Sequence, residues 1–137
     1  MSEIDFRVVE SASQNPYLNL AAETVLTDSA AATCYFYLWQ NAPTVVIGYN
    51  QNPFSECALE NMRQDGVFLA RRRTGGGAVF HDYGNLNFSF VMPNELYDVK
   101  RQSKVIIDAL KDFGINAELS GRNDILADGK KFSGNAF

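Results

Sequence analysis

Histidine is almost missing from this chain. His81 stands alone, and the two cysteines, Cys34 and Cys57, have neither metal-ligand spacing nor a histidine cluster to join. A zinc-type His/Cys centre is therefore not expected. Each cysteine reads instead as a buried, reduced thiol, which suits a cytoplasmic protein. Long apolar runs are missing too. Nothing approaches the roughly 20 residues of a membrane-spanning helix, and the N-terminus has no signal-peptide pattern, so a soluble, non-membrane protein is expected. Basic residues are the minority, 12 Lys and Arg against 16 Asp and Glu, for a net charge of −4. That balance argues against a nucleic-acid partner, because duplex affinity rests on phosphate neutralisation by Lys and Arg. Repeats, linkers and low-complexity stretches are lacking as well. The 137 residues are expected to form one domain burying about two thirds of its unfolded surface.

The basic residues that are present are concentrated. Arg71, Arg72 and Arg73 run through Thr74 into Gly75, Gly76 and Gly77, followed by the apolar Ala78, Val79 and Phe80 and then His81 and Asp82. Three successive glycines forfeit conformational entropy and pack no side chain. A backbone that keeps them is expected to need positive φ or close approach to a ligand, and the arginines suggest an anion. The glycines lack the Lys-Ser/Thr of a phosphate-binding loop and the spacing of a dinucleotide fingerprint. Because residues 78–81 read as extended, the expected anion site is a nest of backbone N–H groups with guanidinium forks, not a helix N-terminus. For an arbitrary triple glycine, a hairpin loop beside a solvated arginine patch is the competing reading.

Along the rest of the chain, residues 4–9 read as a strand. Asn15 caps a helix with Pro16 in its first turn, and Leu18, Ala21, Ala22, Val25 and Leu26 recur at core-facing helical spacing. Residues 33–40 and 44–49 read as strands, the first strongly aromatic. Ser55 is expected to cap a short helix ending near Gly66, and residues 67–72 to form a strand with Arg71 and Arg73 on one face and Arg72 on the other. Residues 82–85 read as a turn, making 78–81 and 86–92 an antiparallel hairpin. A helix over 98–113 stops at Gly114. Short strands at 117–120 and 124–127 follow, and Asp128-Gly129 has the preferred two-residue hairpin signature. Asn123 and Asp124 at the head of that hairpin, with a lysine on its return strand, can place an amide, a carboxylate and an ammonium at one mouth. Asx turns and surface lysines are common enough that this pattern alone is weak.

The run Arg71 to Asp82, continued by Gly84-Asn85, resembles the lipoate-binding loop of lipoate-protein ligases of the lipoyl and biotinyl ligase superfamily. Val45-Val46-Ile47-Gly48 and Gln51-Asn52-Pro53 match upstream. Asn123-Asp124 followed by Lys131-Phe132-Ser133-Gly134 resembles the adenylate and catalytic-lysine segment. The resemblance implies an α/β (α+β type) fold, a mixed, largely antiparallel sheet with flanking helices, with residues 1–137 as the N-terminal portion of a single catalytic domain. It implies ATP-dependent conversion of lipoate to lipoyl-AMP, then transfer to a lysine of apo lipoyl domains of 2-oxoacid dehydrogenase E2 subunits and of the glycine-cleavage H protein. Lys131 is the implied catalytic residue, bridging lipoyl carboxylate and α-phosphate. Arg72, Gly77, Ala78, Val79, Phe80 and Lys131 are the implied nucleotide or lipoyl-AMP contacts. Arg71, Gly75, Gly76, His81, Asn123 and Asp124 are implied supporting residues. ATP and Mg2+ are the implied cofactors, with Asp124 either holding Mg2+ or orienting Lys131. Arg73 departs from the small polar residue many relatives carry, and either crowds the pocket or faces solvent. Two rivals remain: an octanoyl or lipoyl transferase that uses no ATP, and a non-catalytic lipoate or nucleotide binder.

Overall fold

A computed structural model describes residues 4–121 and 123–136. The chain divides into two compact units, Met1–Pro93 and Asn94–Phe137. Arg122, part of the second sequence constellation, lies outside the described residues.

The first unit begins with β1 (Asp5–Glu10), α1 (Pro16–Ser29) and β2 (Thr33–Gln40), a parallel pair joined by a helical crossover. Asn15 caps α1 as its position predicts, its Oδ1 accepting from the Tyr17 and Leu18 amides at 2.9 and 3.4 Å. The expected apolar face of α1 is a correction. Leu18 and Val25 are 60% and 62% exposed, while the buried residues of the helix are Pro16 and Asn19. The inward row carries polar groups that are hydrogen-bonded, so apolar spacing picked the wrong stripe.

A second parallel pair follows. β3 (Thr44–Ile47) and β4 (Phe68–Arg71) are linked by α2 (Pro53–Glu56) and α3 (Leu59–Gln64). The cap of α2 is Asn52, which accepts from the Phe54 amide at 3.1 Å, and not Ser55. Asn52-Pro53 repeats the Asn15-Pro16 signature. The expected single helix breaks at Cys57, whose backbone is extended.

The expected hairpin of residues 78–81 with 86–92 is also corrected. β5 (Val79–His81) pairs antiparallel with β3, whereas β6 (Leu86–Val91) pairs antiparallel with β2, giving sheets ordered β1-β2-β6 and β4-β3-β5. Gln40 faces Leu86 in one sheet and Thr44 faces His81 in the other. Segments 33–47 and 79–91 thus run antiparallel past one another, and both bend where they change sheet. The Asp82–Asn85 turn is real, closed by Asn85 N–H to Asp82 O at 3.1 Å. It bends the strand without folding it back. Tyr37 and Trp39, Val46 and Ile47, Ala70 and Val91 supply the buried core, with Cys34 buried beside them; Cys57 is only half-buried.

The second unit contains α4 (Val99–Asp112) and an antiparallel sheet β7-β8-β9 of Ala117–Ser120, Asp124–Ala127 and Lys130–Gly134. Asp98 caps α4 through the Lys100 and Arg101 amides at 2.9 and 3.1 Å. Gly114, at φ 73°, ends the helix as its sequence predicts. Asp128 and Gly129, at φ 49° and 74°, form the expected tight turn with both central residues left-handed.

Candidate functional site

Strand β4 ends at Arg71, so the three arginines diverge instead of alternating along a regular strand. Arg71 Nη1 donates to the carbonyls of Gly48, Tyr49 and Gln51 at 3.0, 2.9 and 2.7 Å. Arg72 Nη1 donates to Val46 O at 3.2 Å, and its Nη2 to Gly75 O and Gly77 O at 2.7 and 2.9 Å. Arg73 turns away to the exposed surface, where its Nη1 meets Asp28 of α1 at 2.9 Å. Such an exposed pair contributes about 0–1 kcal/mol.

Arg72 therefore holds the glycine loop by two of its carbonyls, while Arg71 holds the carbonyls of the segment that follows β3. Arg72 Nε is buried without a partner among the described residues. Burial lowers the pKa of Arg72, opposed by the nearby Glu23 carboxylate.

The loop needs its glycines unequally. Gly76 has φ 95°, whereas Gly75 and Gly77 have no such constraint, and a Cβ on either would meet nothing. The tightest approach involves a glycine outside the triplet. A Cβ on Gly48, at the end of β3, would lie 2.1 Å from Gly76 O. Among the described residues, no hydrogen bond is donated by the backbone N–H of Gly75, Gly76, Gly77 or Ala78. Val79 and Phe80 beside them are 46% and 56% exposed. The result is an open row of amide donors edged by apolar side chains, suited to an anionic head on an apolar body.

His81 ends β5, three residues beyond Ala78, and is 9% exposed. Its Nδ1 is 3.2 Å from Asn41 Nδ2, and its ring stands edge-on to Trp39 with centroids 5.8 Å apart. Burial lowers its pKa below 6.5, the positive Arg72 lowers it further, and Asp82 partly opposes both.

The second unit groups the other predicted residues. Lys131 Nζ pairs with Asp124 Oδ1 at 3.0 Å, with side chains 61% and 32% exposed. Asn123 faces the return strand, its Nδ2 donating to Asn135 O at 2.5 Å while Asn135 Nδ2 donates to Asn123 O at 2.8 Å.

Residues 131 and 134 of a regular strand face opposite sides. Here Ile125 pairs with Ser133 but Leu126 with Lys131, leaving Phe132 as an extra bulged residue. The bulge turns Lys131 to the side of Gly134. A Cβ on Gly134 would lie 2.9 Å from Lys131 Cε and 3.0 Å from Nζ. The glycine thus leaves room for the lysine to lie across the strand toward Asp124. Among the described residues, no group of three His, Cys, Asp or Glu is placed to hold a metal. Among the described residues, Asp124 is the carboxylate that pairs with Lys131.

Asn19, Asn41 and Glu23 were not singled out by their sequence positions. For Asn19 and Glu23 the available signal was a polar residue within an apolar helical run; Asn41 lies in the turn between β2 and β3, where asparagine is ordinary.

Residues 15–137 match the family described as the lipoyl protein ligase A/B catalytic domain. The chain is 50% identical to "Lipoate-protein ligase A" of Psychrobacter cryohalolentis and 52% identical to that of Bdellovibrio bacteriovorus. Each alignment covers 96% of this chain and respectively 39% and 40% of the relative, so the chain spans about two fifths of their length. Among solved structures, Plasmodium falciparum LipL1 in complex with lipoate superposes with TM-score 0.87 at 38% identity, covering 94% of this chain and 43% of that one. A bi-partite lipoate protein ligase from Thermoplasma acidophilum, described with its E2 lipoyl domain, gives 0.87 at 30% identity, covering 98% and 56%. Lipoate-protein ligase A bound with ATP gives 0.81 at 31% identity, covering 98% and 60%.

Proposed function

The chain belongs to the lipoyl protein ligase A/B catalytic-domain family, and from that premise we propose that it takes part in ATP-dependent lipoate ligation. In this reading the lipoate carboxylate attacks the α-phosphorus of ATP, forming lipoyl-AMP and releasing pyrophosphate. The ε-amine of a lysine on an apo lipoyl domain then attacks the mixed anhydride, and AMP leaves. The observation that carries the reading is the row of amides from Gly75 to Ala78, unengaged among the described residues, in a loop whose Gly75 and Gly77 carbonyls are held by Arg72. The similar ligases bound to lipoate or to ATP support it.

The residues suit the first step, which must bring two anions together. Unit charges about 4 Å apart interact by roughly 4 kcal/mol at an effective dielectric near 20, so a fixed cation is needed. Lys131 is that cation, bridging the lipoyl carboxylate and the α-phosphate. Its exposed ammonium is available to a ligand, and Asp124 orients it. Arg72 and residues 77–80 contact the nucleotide or its lipoyl adduct. Arg71, Gly75, Gly76, His81 and Asn123 support the site. Mg2+ enters with the phosphates of ATP, which commonly supply much of its coordination. Acceptors are the lipoyl domains of E2 subunits and the H protein, in the cytoplasm. Among the described residues no helix is long and apolar enough to cross a membrane.

Lipoate-dependent ATP–pyrophosphate exchange by the full-length protein tests the proposal. Exchange is expected, and Lys131→Ala should abolish it while lipoate still binds. Lipoate binding without exchange in the parent would mark a non-catalytic binder. Octanoyl transfer from a carrier protein without ATP would mark a transferase.

A further inference from the structure

Buried polar side chains in the first unit form a line that ends on the single histidine. Asn19 and Asn41 are 1% and 0% exposed. Asn19 Nδ2 donates to the carbonyls of Ser13 and Gln40 at 3.0 and 2.9 Å. A backbone carbonyl only accepts, so these two partners fix which end of the Asn19 amide is nitrogen. Its Oδ1 accordingly accepts from Ser11 Oγ at 2.6 Å and Tyr37 OH at 3.3 Å. Asn41 Oδ1 lies 2.9 Å from Asn19 Nδ2. Reversing Asn41 would set one amide NH2 against another. Its Nδ2 is therefore the atom 3.2 Å from His81 Nδ1. An amide nitrogen only donates, so Nδ1 must be the lone-pair nitrogen and the proton must sit on Nε2.

We propose that Asn41 is a positioning residue. Anchored through Asn19 to the backbone, it holds His81 as the neutral Nε2–H tautomer and leaves that N–H to donate to a ligand bound at the glycine loop. Nε2 has no hydrogen-bond partner among the described residues. With Trp39 edge-on to the ring and Val79 and Phe80 exposed nearby in sequence, the ligand suited to this donor has an acceptor oxygen on an apolar body. Arg72 and Asp82 are the charged groups recorded as acting on the ring; the first disfavours imidazolium and the second favours it. The ligand's identity rests on the lipoate reading, whereas the tautomer does not.

A single histidine makes the long-range 1H–15N spectrum of the imidazole unambiguous. The parent chain at pH 7 should show a neutral ring protonated on Nε2. Asn41→Asp replaces the donor with a carboxylate that can only accept, and should move the proton to Nδ1 or produce imidazolium. A parent ring protonated on Nδ1, or charged at pH 7, would overturn the assignment. An unchanged Nε2–H pattern in a folded Asn41→Asp variant would do the same, and if that variant does not fold, the parent spectrum still decides. Lipoate binding, followed separately by calorimetry, should shift the Nε2–H proton; bound lipoate with an unshifted proton overturns the donor role. No lipoate binding at all would count against the proposed function, and the ligand-free spectrum would still decide the role of Asn41.

Discussion

Gly48→Ala tests whether the glycine loop is held by contact with the end of β3. The new Cβ would lie 2.1 Å from Gly76 O, 3.0 Å from the Gly76 carbonyl carbon and 3.3 Å from Arg72 Nη2. Ordinary contact begins near 3.4 Å, so the loop backbone must retreat by about 1 Å in a close-packed setting. That retreat strains the Tyr49 N–H bond to Thr74 O and the Arg72 bonds to Gly75 and Gly77. Overpacking of this kind destabilises by about 1–3 kcal/mol, and each weakened charge-assisted hydrogen bond adds about 1 kcal/mol. A loss of about 2–4 kcal/mol is expected, measured by urea unfolding of the chain with the slope unchanged. Gly75→Ala and Gly77→Ala are the controls. Their Cβ atoms meet nothing, so stability should stay within about 0.5 kcal/mol of the parent, while ligand binding at the loop falls. Gly48→Ala as stable as the parent, or Gly75→Ala equally destabilised, would refute this account of the loop.

Asp124→Asn removes the partner of Lys131, so pyrophosphate exchange should fall by about ten- to a hundredfold with lipoate affinity nearly unchanged; equal loss of both would point to unfolding of the hairpin. The lowered pKa of His81 makes the unfolded chain bind more protons than the folded one just below pH 6.5. Stability should therefore fall as pH drops from 6.5 toward the folded pKa, by at most about 1.4 kcal/mol per pH unit. That component should vanish in His81→Gln, measured by denaturation at a series of pH values. Asn15→Ala leaves two amides of α1 without their side-chain acceptor and should cost about 1 kcal/mol in the same denaturation assay.

Much of the local structure was legible because its causes are local. Asn15-Pro16 starts a helix, Gly114 stops one, and Asp128-Gly129 turns a hairpin, each through the conformational preference of one or two residues. The pairing of β5 and β6 was not legible. Asp82 to Asn85 makes a genuine turn, yet its flanking strands find partners some forty residues away in different sheets. Local signals identify a bend and say nothing about which strands it leaves side by side. On α1, Leu18 and Val25 suggested the inward face by hydropathy, but Asn19 occupies it because its amide satisfies two backbone carbonyls. The Lys-x-x-Gly spacing pointed to Lys131 as a candidate only through resemblance. Its physical basis is the bulge at Phe132, invisible to a period-two reading.

Arg72 also orients the peptide planes of the glycine loop. In a trans peptide the carbonyl and the N–H point in opposite directions. Drawing the oxygens of Gly75 and Gly77 onto Arg72 therefore swings the hydrogens of Gly76 and Ala78 away from it. Besides any contact of its own, the guanidinium sets the polarity of these peptide planes, and short, stiff dipoles present a positive end that a long, flexible side chain alone would have to hold in place.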